Sequence, residues 1–206
     1  FGAALDDAEA GHLRPRYDGR AIFGDEGVNL LQGVRTDWSI FAGKRYLPVR
    51  LTQFSRGCRN RCEYCATGNI YRRRFRHRPV DEVVGELRAD GARFVFFVDD
   101  NIVGDLEAAR ALFTALKPLK IKWFSQADVT FAADPALMDL MLESGCVGLV
   151  VGFESLNPEN LRLMNKTCNL ALEGYDATVE RIRQAGLLTW AAFLLGYDAE
   201  TPDTVR

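Results

Sequence analysis

Residues 46–68 read YLPVRLTQFSRGCRNRCEYCATG, an apolar run that leads into Cys58, Cys62 and Cys65 in the pattern C-x-x-x-C-x-x-C. The run over 47–55 predicts a strand, and the cysteines then lie in the loop that follows it. Thiols this close in sequence rarely form unstrained disulfides with one another, but they can share an inorganic centre. Zinc, an iron–sulfur cluster and unligated thiols are the three choices. A structural zinc site wants four ligands, usually as two separated pairs. The remaining candidates are Cys146, Cys168, His12 and His77, with no second C-x-x-C pair. An iron–sulfur cluster is usually held by four thiolates, so three from one loop leave one iron open to substrate chemistry.

Beyond this loop, strands and helices alternate. Further strands are expected at 94–100 (FVFFVDD), 121–129 (IKWFSQADV), 147–155 (VGLVVGFES) and 188–196 (LTWAAFLLG). Several are apolar on both faces, as in a parallel sheet covered by helices. The intervening helices carry punctuation: Pro79 opens one that Gly91 ends, with Val80, Val83, Val84 and Leu87 on its buried face. Asp105 caps the next, whose stripe is Leu106, Ala109, Leu112, Phe113 and Leu116. Asp134 and Pro135 open a third, with Leu137, Leu140 and Met141 inward. Leu172, Tyr175, Val179 and Ile182 mark a fourth that Gly186 ends. Such strand–helix units, joined by right-handed crossovers, predict a curved parallel sheet of the barrel type or a doubly wound open sheet. In either, the reacting centre lies beyond the carboxyl ends of the strands.

Those ends are polar. Asp99, Asp100 and Asn101 follow five apolar residues, Gln126 and Asp128 stand near the third end, Glu154 and Ser155 at the fourth, and Gly196 and Asp198 at the fifth. Any one of them could be a helix cap or turn residue. Together with the cysteine loop they describe a mouth for a polar small molecule, where carboxylates bind hydroxyls and an ammonium group and glycine lets backbone approach a ring.

At 206 residues with 48% hydrophobic and 26% charged residues, the chain is ordinary for one sizeable α/β domain. Its net charge of −2 predicts no general affinity for nucleic acid or membranes. Arginines nonetheless crowd the cysteines, at 56, 59, 61, 72, 73, 74, 76 and 78. They form either a solvated basic loop or a surface for an anionic substrate, a cofactor carboxylate or an acidic electron donor. The longest apolar run, LLTWAAFLLG at 187–196, is too short to span a bilayer, and no signal peptide is visible, so a cytoplasmic protein is expected. Residues 1–46 read as a linker, and 47–206 as the core domain. His12 is expected to be exposed, Cys146 to be a buried small hydrophobe and Cys168 a surface thiol. The closing AETPDTVR looks like the opening of a helix, which suggests a core domain truncated at its C-terminus.

The stretch CRNRCEYC after a first strand, followed by an incomplete parallel barrel, resembles the radical S-adenosylmethionine (SAM) enzymes from about residue 37 onward. Within that superfamily RHRPVDEVVGEL, FVDDNI, SGCVGLVVGFESLN and GYDAETPD resemble the group with a cobalamin-binding domain before the radical domain. The resemblance implies an α/β fold, an incomplete TIM-type parallel (β/α) barrel with five of an expected six strand–helix units. It implies a [4Fe–4S] cluster on Cys58, Cys62 and Cys65, with SAM chelated to the open iron through its amino and carboxylate groups. Tyr64 would contact the adenine, Glu154 the ribose hydroxyls, and the backbone at Gly196 would approach the adenine. Asp99, Asp100 and Asn101 stand where the family has Gly-Gly-Glu, which binds the methionyl amino group. The implied reaction is reductive cleavage of SAM to a 5′-deoxyadenosyl radical, with cobalamin-dependent methyl transfer to a small-molecule substrate and an electron donor such as flavodoxin or ferredoxin. A cobalamin-independent radical SAM enzyme and a zinc-stabilised nucleic-acid-binding module are the alternative readings.

Overall fold

A computed structural model of the chain describes residues 10–11, 37–71 and 73–202. His12, Arg72, most of the expected linker and the last residues of the expected C-terminal helix lie outside them. The fold described below belongs to the unit Arg35–Arg206.

Five parallel strands form the sheet: β1 (Val49–Thr52), β4 (Phe94–Phe97), β5 (Lys122–Ala127), β6 (Cys146–Glu154) and β7 (Leu188–Phe193), in that spatial order. Leu51 pairs with Phe96, and Phe96 with Phe124, while Val150 pairs with Trp190. The expected first strand divides. Its second part, β2 (Ser55–Arg56), leaves the sheet to pair antiparallel with β3 (Arg76–His77). This short hairpin brackets the cysteine loop, which includes the short helix α1 (Ala66–Ile70).

The covering helices are α2 (Val80–Ala89), α3 (Leu106–Leu116), α4 (Pro135–Glu143) and α7 (Tyr175–Gln184). Local chemistry sets where they start: Asp105 accepts the Ala108 N–H at 3.1 Å, and Asp134 the Leu137 N–H at 3.0 Å. Their apolar stripes meet one face of the sheet. There Phe97, Trp123, Val151 and Phe153 pack with Leu87, Leu112, Phe113, Leu137 and Met141. Trp123 stacks on Phe113 with centroids 5.0 Å apart and donates its indole N–H to Ser144 Oγ at 3.1 Å, so its one polar atom is satisfied inside the core. Two stripe residues fall outside this packing. Leu106 and Val179 are exposed, because each lies at the rim of its helix face.

Two further short helices, α5 (Pro158–Leu163) and α6 (Thr167–Leu170), fill the connection after β6. The opposite face of the sheet carries Leu51, Phe94, Phe96, Val98 and Phe124; in a barrel-type sheet this is the inward face. β7 forms one edge of the described sheet, with Leu188 and Trp190 exposed. Among the described residues no helix is long and apolar enough to cross a membrane.

Candidate active site

The cysteine loop is fastened by groups from the ends of the strands. After β4, the fully buried Asp99 carboxylate accepts the Phe54 N–H at 3.0 Å and both the N–H and hydroxyl of Ser55. Asp100 accepts the Gly57 N–H at 2.8 Å and the Thr67 hydroxyl at 3.2 Å. The Asn101 amide stands 3.7 Å from Cys58 Sγ and donates to Asp128 Oδ2 at 2.8 Å, while its carbonyl oxygen accepts the Asp128 N–H. Asp128, after β5, also accepts the Asn60 amide at 2.9 Å. The connection after β6 holds the loop's other side. Asn165 donates to the Arg61 carbonyl at 2.8 Å, and the Glu63 N–H donates to the Met164 carbonyl at 2.9 Å. Beyond β7, the Tyr197 hydroxyl donates to the Glu63 carboxylate.

The three thiols are thereby held half-buried on one loop. Burial pushes Cys58 and Cys62 above the ordinary thiol range, and the Lys166 ammonium draws Cys62 back. Among the described residues no three His, Cys, Asp or Glu side chains converge to hold a single metal ion. The donor set is three thiols, the ligand type of iron–sulfur clusters, and the Asn101 amide beside Cys58 Sγ supplies the kind of N–H contact to sulfur that such clusters use.

Beside the thiols, β6 ends on Glu154, which adopts left-handed backbone (φ +66°) and is nearly buried. Its carboxylate fills space that only glycine leaves: a Cβ on Gly152 would stand 2.1 Å from Glu154 Oε1. Asn169 holds the same turn by donating to the carbonyls of Gly152 and Phe153 at 3.0 and 2.9 Å. Lys166 Nζ meets Glu154 Oε1 at 3.3 Å, with both side chains nearly buried. The Tyr64 hydroxyl also lies against Glu154 and Cys62, and burial, then the Glu154 carboxylate, raises its pKa well above the ordinary phenol value.

Of the residues singled out from sequence, Glu154 at the end of β6 and Tyr64 of the cysteine loop come together beside Cys62. Asp99, Asp100 and Asn101 all anchor the loop, with both oxygens of Asp99 and both of Asp100 accepting hydrogen bonds from it, and of the three only Asp100 stays partly exposed. Gly196 is exposed, with φ +89° and no atom within 4 Å of where a Cβ would be. Cys146 is buried, as expected. Cys168 departs from expectation: it lies half-buried near Lys166, Asp128 and Cys62, donates to Asn169 Oδ1 at 3.3 Å, and is pushed up to about 12, chiefly by burial. Lys166 and Asn60 escaped the sequence reading, because a lysine in an NKT connection and an asparagine between arginines carry no local signal.

The basic surface is narrower than the arginine run suggested. Arg59, Arg61 and Arg73 are exposed, whereas Arg78 is buried in an ion pair with Glu86 at 2.6 Å. Arg61 and Arg73 line a cavity of about 350 Å³ with Cys62 and Cys65. A larger one, about 950 Å³, opens between Trp38, Phe41, Tyr46, Phe94, Phe96 and Phe124, at the amino ends of β1 and β4. None of the polar strand-end residues lines it, so size alone does not mark the site.

Asp99 gives the site a pH signature. Its carboxyl is pushed up to about 7, first by burial and against the hydrogen bonds from Ser55 and Phe54. The folded protein therefore keeps a proton that the unfolded chain, with a carboxyl near 3.9, has released. That contribution to stability is complete below about pH 4 and is lost as pH rises through about 7. Asp99→Asn, which cannot titrate, is expected to flatten the decline in unfolding free energy over that window, measured by urea unfolding at fixed ionic strength. Equal slopes for the two proteins would refute the assignment.

A family model described as the radical SAM superfamily matches residues 52–206. A bacteriochlorophyllide d C-12(1)-methyltransferase from Chlorobaculum tepidum is 30% identical over 77% of this chain and 36% of its own length. An anaerobic magnesium-protoporphyrin IX monomethyl ester cyclase from Cereibacter sphaeroides is 26% identical over 85% of this chain and 31% of its own. The chain thus spans about a third of the length of these relatives. Among solved structures, the radical SAM methyltransferase TsrM from Kitasatospora setae, with cobalamin and a [4Fe–4S] cluster bound, superposes with a TM-score of 0.64. It is 22% identical and covers 76% of this chain and 30% of that one. At that identity the likeness speaks for the shared fold.

Proposed function

The chain belongs to the radical SAM superfamily, and from that premise we propose that it is the core of an enzyme that holds a [4Fe–4S] cluster on Cys58, Cys62 and Cys65 and reductively cleaves SAM. The observation that carries this reading is the convergence of strand-end groups on one three-thiol loop, with Glu154 and Tyr64 beside Cys62. When bound, the cluster and SAM supply one-electron, radical-generating chemistry. The chain's own residues bind and orient. Glu154 would accept hydrogen bonds from the ribose hydroxyls, Tyr64 would lie against the adenine, and the open backbone at Gly196 would let that ring come close. Asp100, the one partly exposed member of the 99–101 stretch, would take the methionyl ammonium. Asp99, Asn101 and Asp128 hold the loop against which these groups are measured.

We further propose methyl transfer to a small-molecule substrate with cobalamin from the remainder of a longer protein, with residues 1–46 leading into a core over 47–206. The name of the Chlorobaculum relative supports this reading; that of the cyclase leaves cyclisation of a substrate as the second one. An acidic electron donor such as flavodoxin or ferredoxin would meet exposed Arg61 and Arg73 beside Cys62 and Cys65.

Electron paramagnetic resonance on anaerobically reconstituted, dithionite-reduced protein tests the core of the proposal. A [4Fe–4S]⁺ signal that changes shape on adding SAM is expected. A protein that takes up zinc instead, or a cluster signal indifferent to SAM, would sink it.

A further inference from the structure

Arg78 is a buried guanidinium that the proposed chemistry leaves unused. It stands directly after β3 and is 5% exposed, and its partner Glu86, on α2, is equally buried. Arg78 Nη2 meets Glu86 Oε2 at 2.6 Å, and Glu86 Oε1 accepts the Thr52 hydroxyl at 3.3 Å. The other terminal nitrogen, Nη1, donates to the Gln53 carbonyl at 3.3 Å, and the Arg78 backbone N–H donates to the Phe54 carbonyl at 2.8 Å. Nε is buried with no hydrogen-bond partner among the described residues, and Glu82 Oε2 lies 3.9 Å from it.

These contacts gather on the break between β1, which ends at Thr52, and β2, which begins at Ser55. Phe54 and Ser55 are fully buried there. Where the chain leaves the sheet, its buried backbone groups lose their ladder partners and need others. Asp99 takes the Phe54 and Ser55 N–H groups, and Arg78 takes the Gln53 and Phe54 carbonyls. Arg78 thus ties together the end of β1, the end of β3 and helix α2. Cys58 follows β2 after a single residue, Gly57, so a shift at the break is carried to the first thiol.

Stability alone is a poor reason for such a pair, because well-packed apolar residues in place of a buried ion pair often leave a protein as stable or more so. Apolar residues cannot hold a planar fork of donors between a carboxylate and a carbonyl, which fixes direction as well as distance. We propose that Arg78 is a positioning residue for the cluster site: anchored on Glu86, it fixes the break between β1 and β2 and thereby the place of Cys58. The proposal rests on the cluster assignment made above. Neither side chain needs to touch the cluster or SAM for this role, since the effect passes through the backbone of Gln53 and Phe54.

The test replaces both partners together. Arg78→Met with Glu86→Leu removes the two charges, keeps an apolar filling and leaves no lone buried charge behind. On the full chain with its cluster reconstituted, the readouts are the urea midpoint, SAM cleavage per bound iron, and the change that SAM makes to the paramagnetic resonance signal of the reduced cluster. The double variant is expected to unfold near the wild-type midpoint while cleavage per bound iron falls about 10- to 100-fold, the cost of losing a group that orients a metal ligand, with a weakened response to SAM. A purely structural role would move the midpoint and leave cleavage by the iron-loaded chain alone. Wild-type cleavage and SAM response in a folded double variant overturn the proposal. Should the double variant fail to fold, Arg78→Lys decides. It keeps a charge for Glu86 but lacks the fork that reaches Gln53 at the same time, so cleavage is expected to fall again, and wild-type cleavage overturns the proposal. Failure of both variants to fold overturns it as well, since the pair then serves the fold and not the loop. Wild-type protein that binds no cluster overturns the cluster assignment itself, so the iron content of the wild type tells the two failures apart.

Discussion

Alanine at Cys58, Cys62 or Cys65, one at a time, is expected to leave a folded protein with a small fraction of the wild-type iron and with SAM cleavage reduced by roughly a hundredfold or more. Loss of a residue that only supports a metal ligand already costs about 10–100-fold in affinity or activity, and loss of a ligand itself should exceed that. The fold should survive because the loop is not held by its thiols. Asp99, Asp100, Asp128 and Asn165 bind its backbone and side chains at Phe54, Ser55, Gly57, Asn60 and Arg61. Cys146→Ala provides the contrast. Cys146 lies in the core at the start of β6, so its loss should cost some stability and no iron. Iron and sulfide analysis with unfolding curves on the four variants checks the pattern. Wild-type iron in Cys62→Ala would remove that residue from the ligand set.

Much of the frame was readable from local chemistry. The apolar runs ending at Asp99 and Glu154 marked two central strands because a parallel sheet buries both faces. Asp105 and Asp134 announced their helices because a cap acts within a few residues of itself. What stayed hidden depends on distant partners. The hairpin of β2 and β3 is two residues on each side, too short to leave a period. Asp99 at a strand end reads equally as a ligand or an anchor, and only the fold shows both oxygens occupied by Phe54 and Ser55. Lys166 acquires meaning by being brought against the Glu154 carboxylate at the end of β6, and nothing within its own stretch of chain tells of that. Val179 and Leu106 show the opposite limit: a helical stripe predicts a face, and the neighbouring elements decide where its rim ends.

Gly57→Ala is expected to do the largest structural damage of any single methyl added to the site. Gly57 has φ +89°, and a Cβ there would stand 1.9 Å from the Arg74 carbonyl oxygen. That oxygen belongs to backbone at the approach to β3, so it cannot rotate aside as a flexible side chain could. Either the hairpin opens or Gly57 moves, and moving Gly57 pulls its N–H from Asp100 and displaces Cys58, the next residue. Left-handed strain costs about 1–3 kcal/mol, and forcing volume into a packed position typically adds about 1–3 more, so a loss of roughly 2–6 kcal/mol is expected. Gly196 separates the two contributions. It has the same φ of +89° with open space where a Cβ would go. Gly196→Ala therefore carries the strain alone and should fall near the lower figure. Urea unfolding of both variants, with iron uptake by Gly57→Ala, measures the difference. If Gly57→Ala is no less stable than Gly196→Ala and takes up iron normally, the hairpin does not close on Gly57, and the position of Cys58 must be set by Asn101 and Asp128 without it.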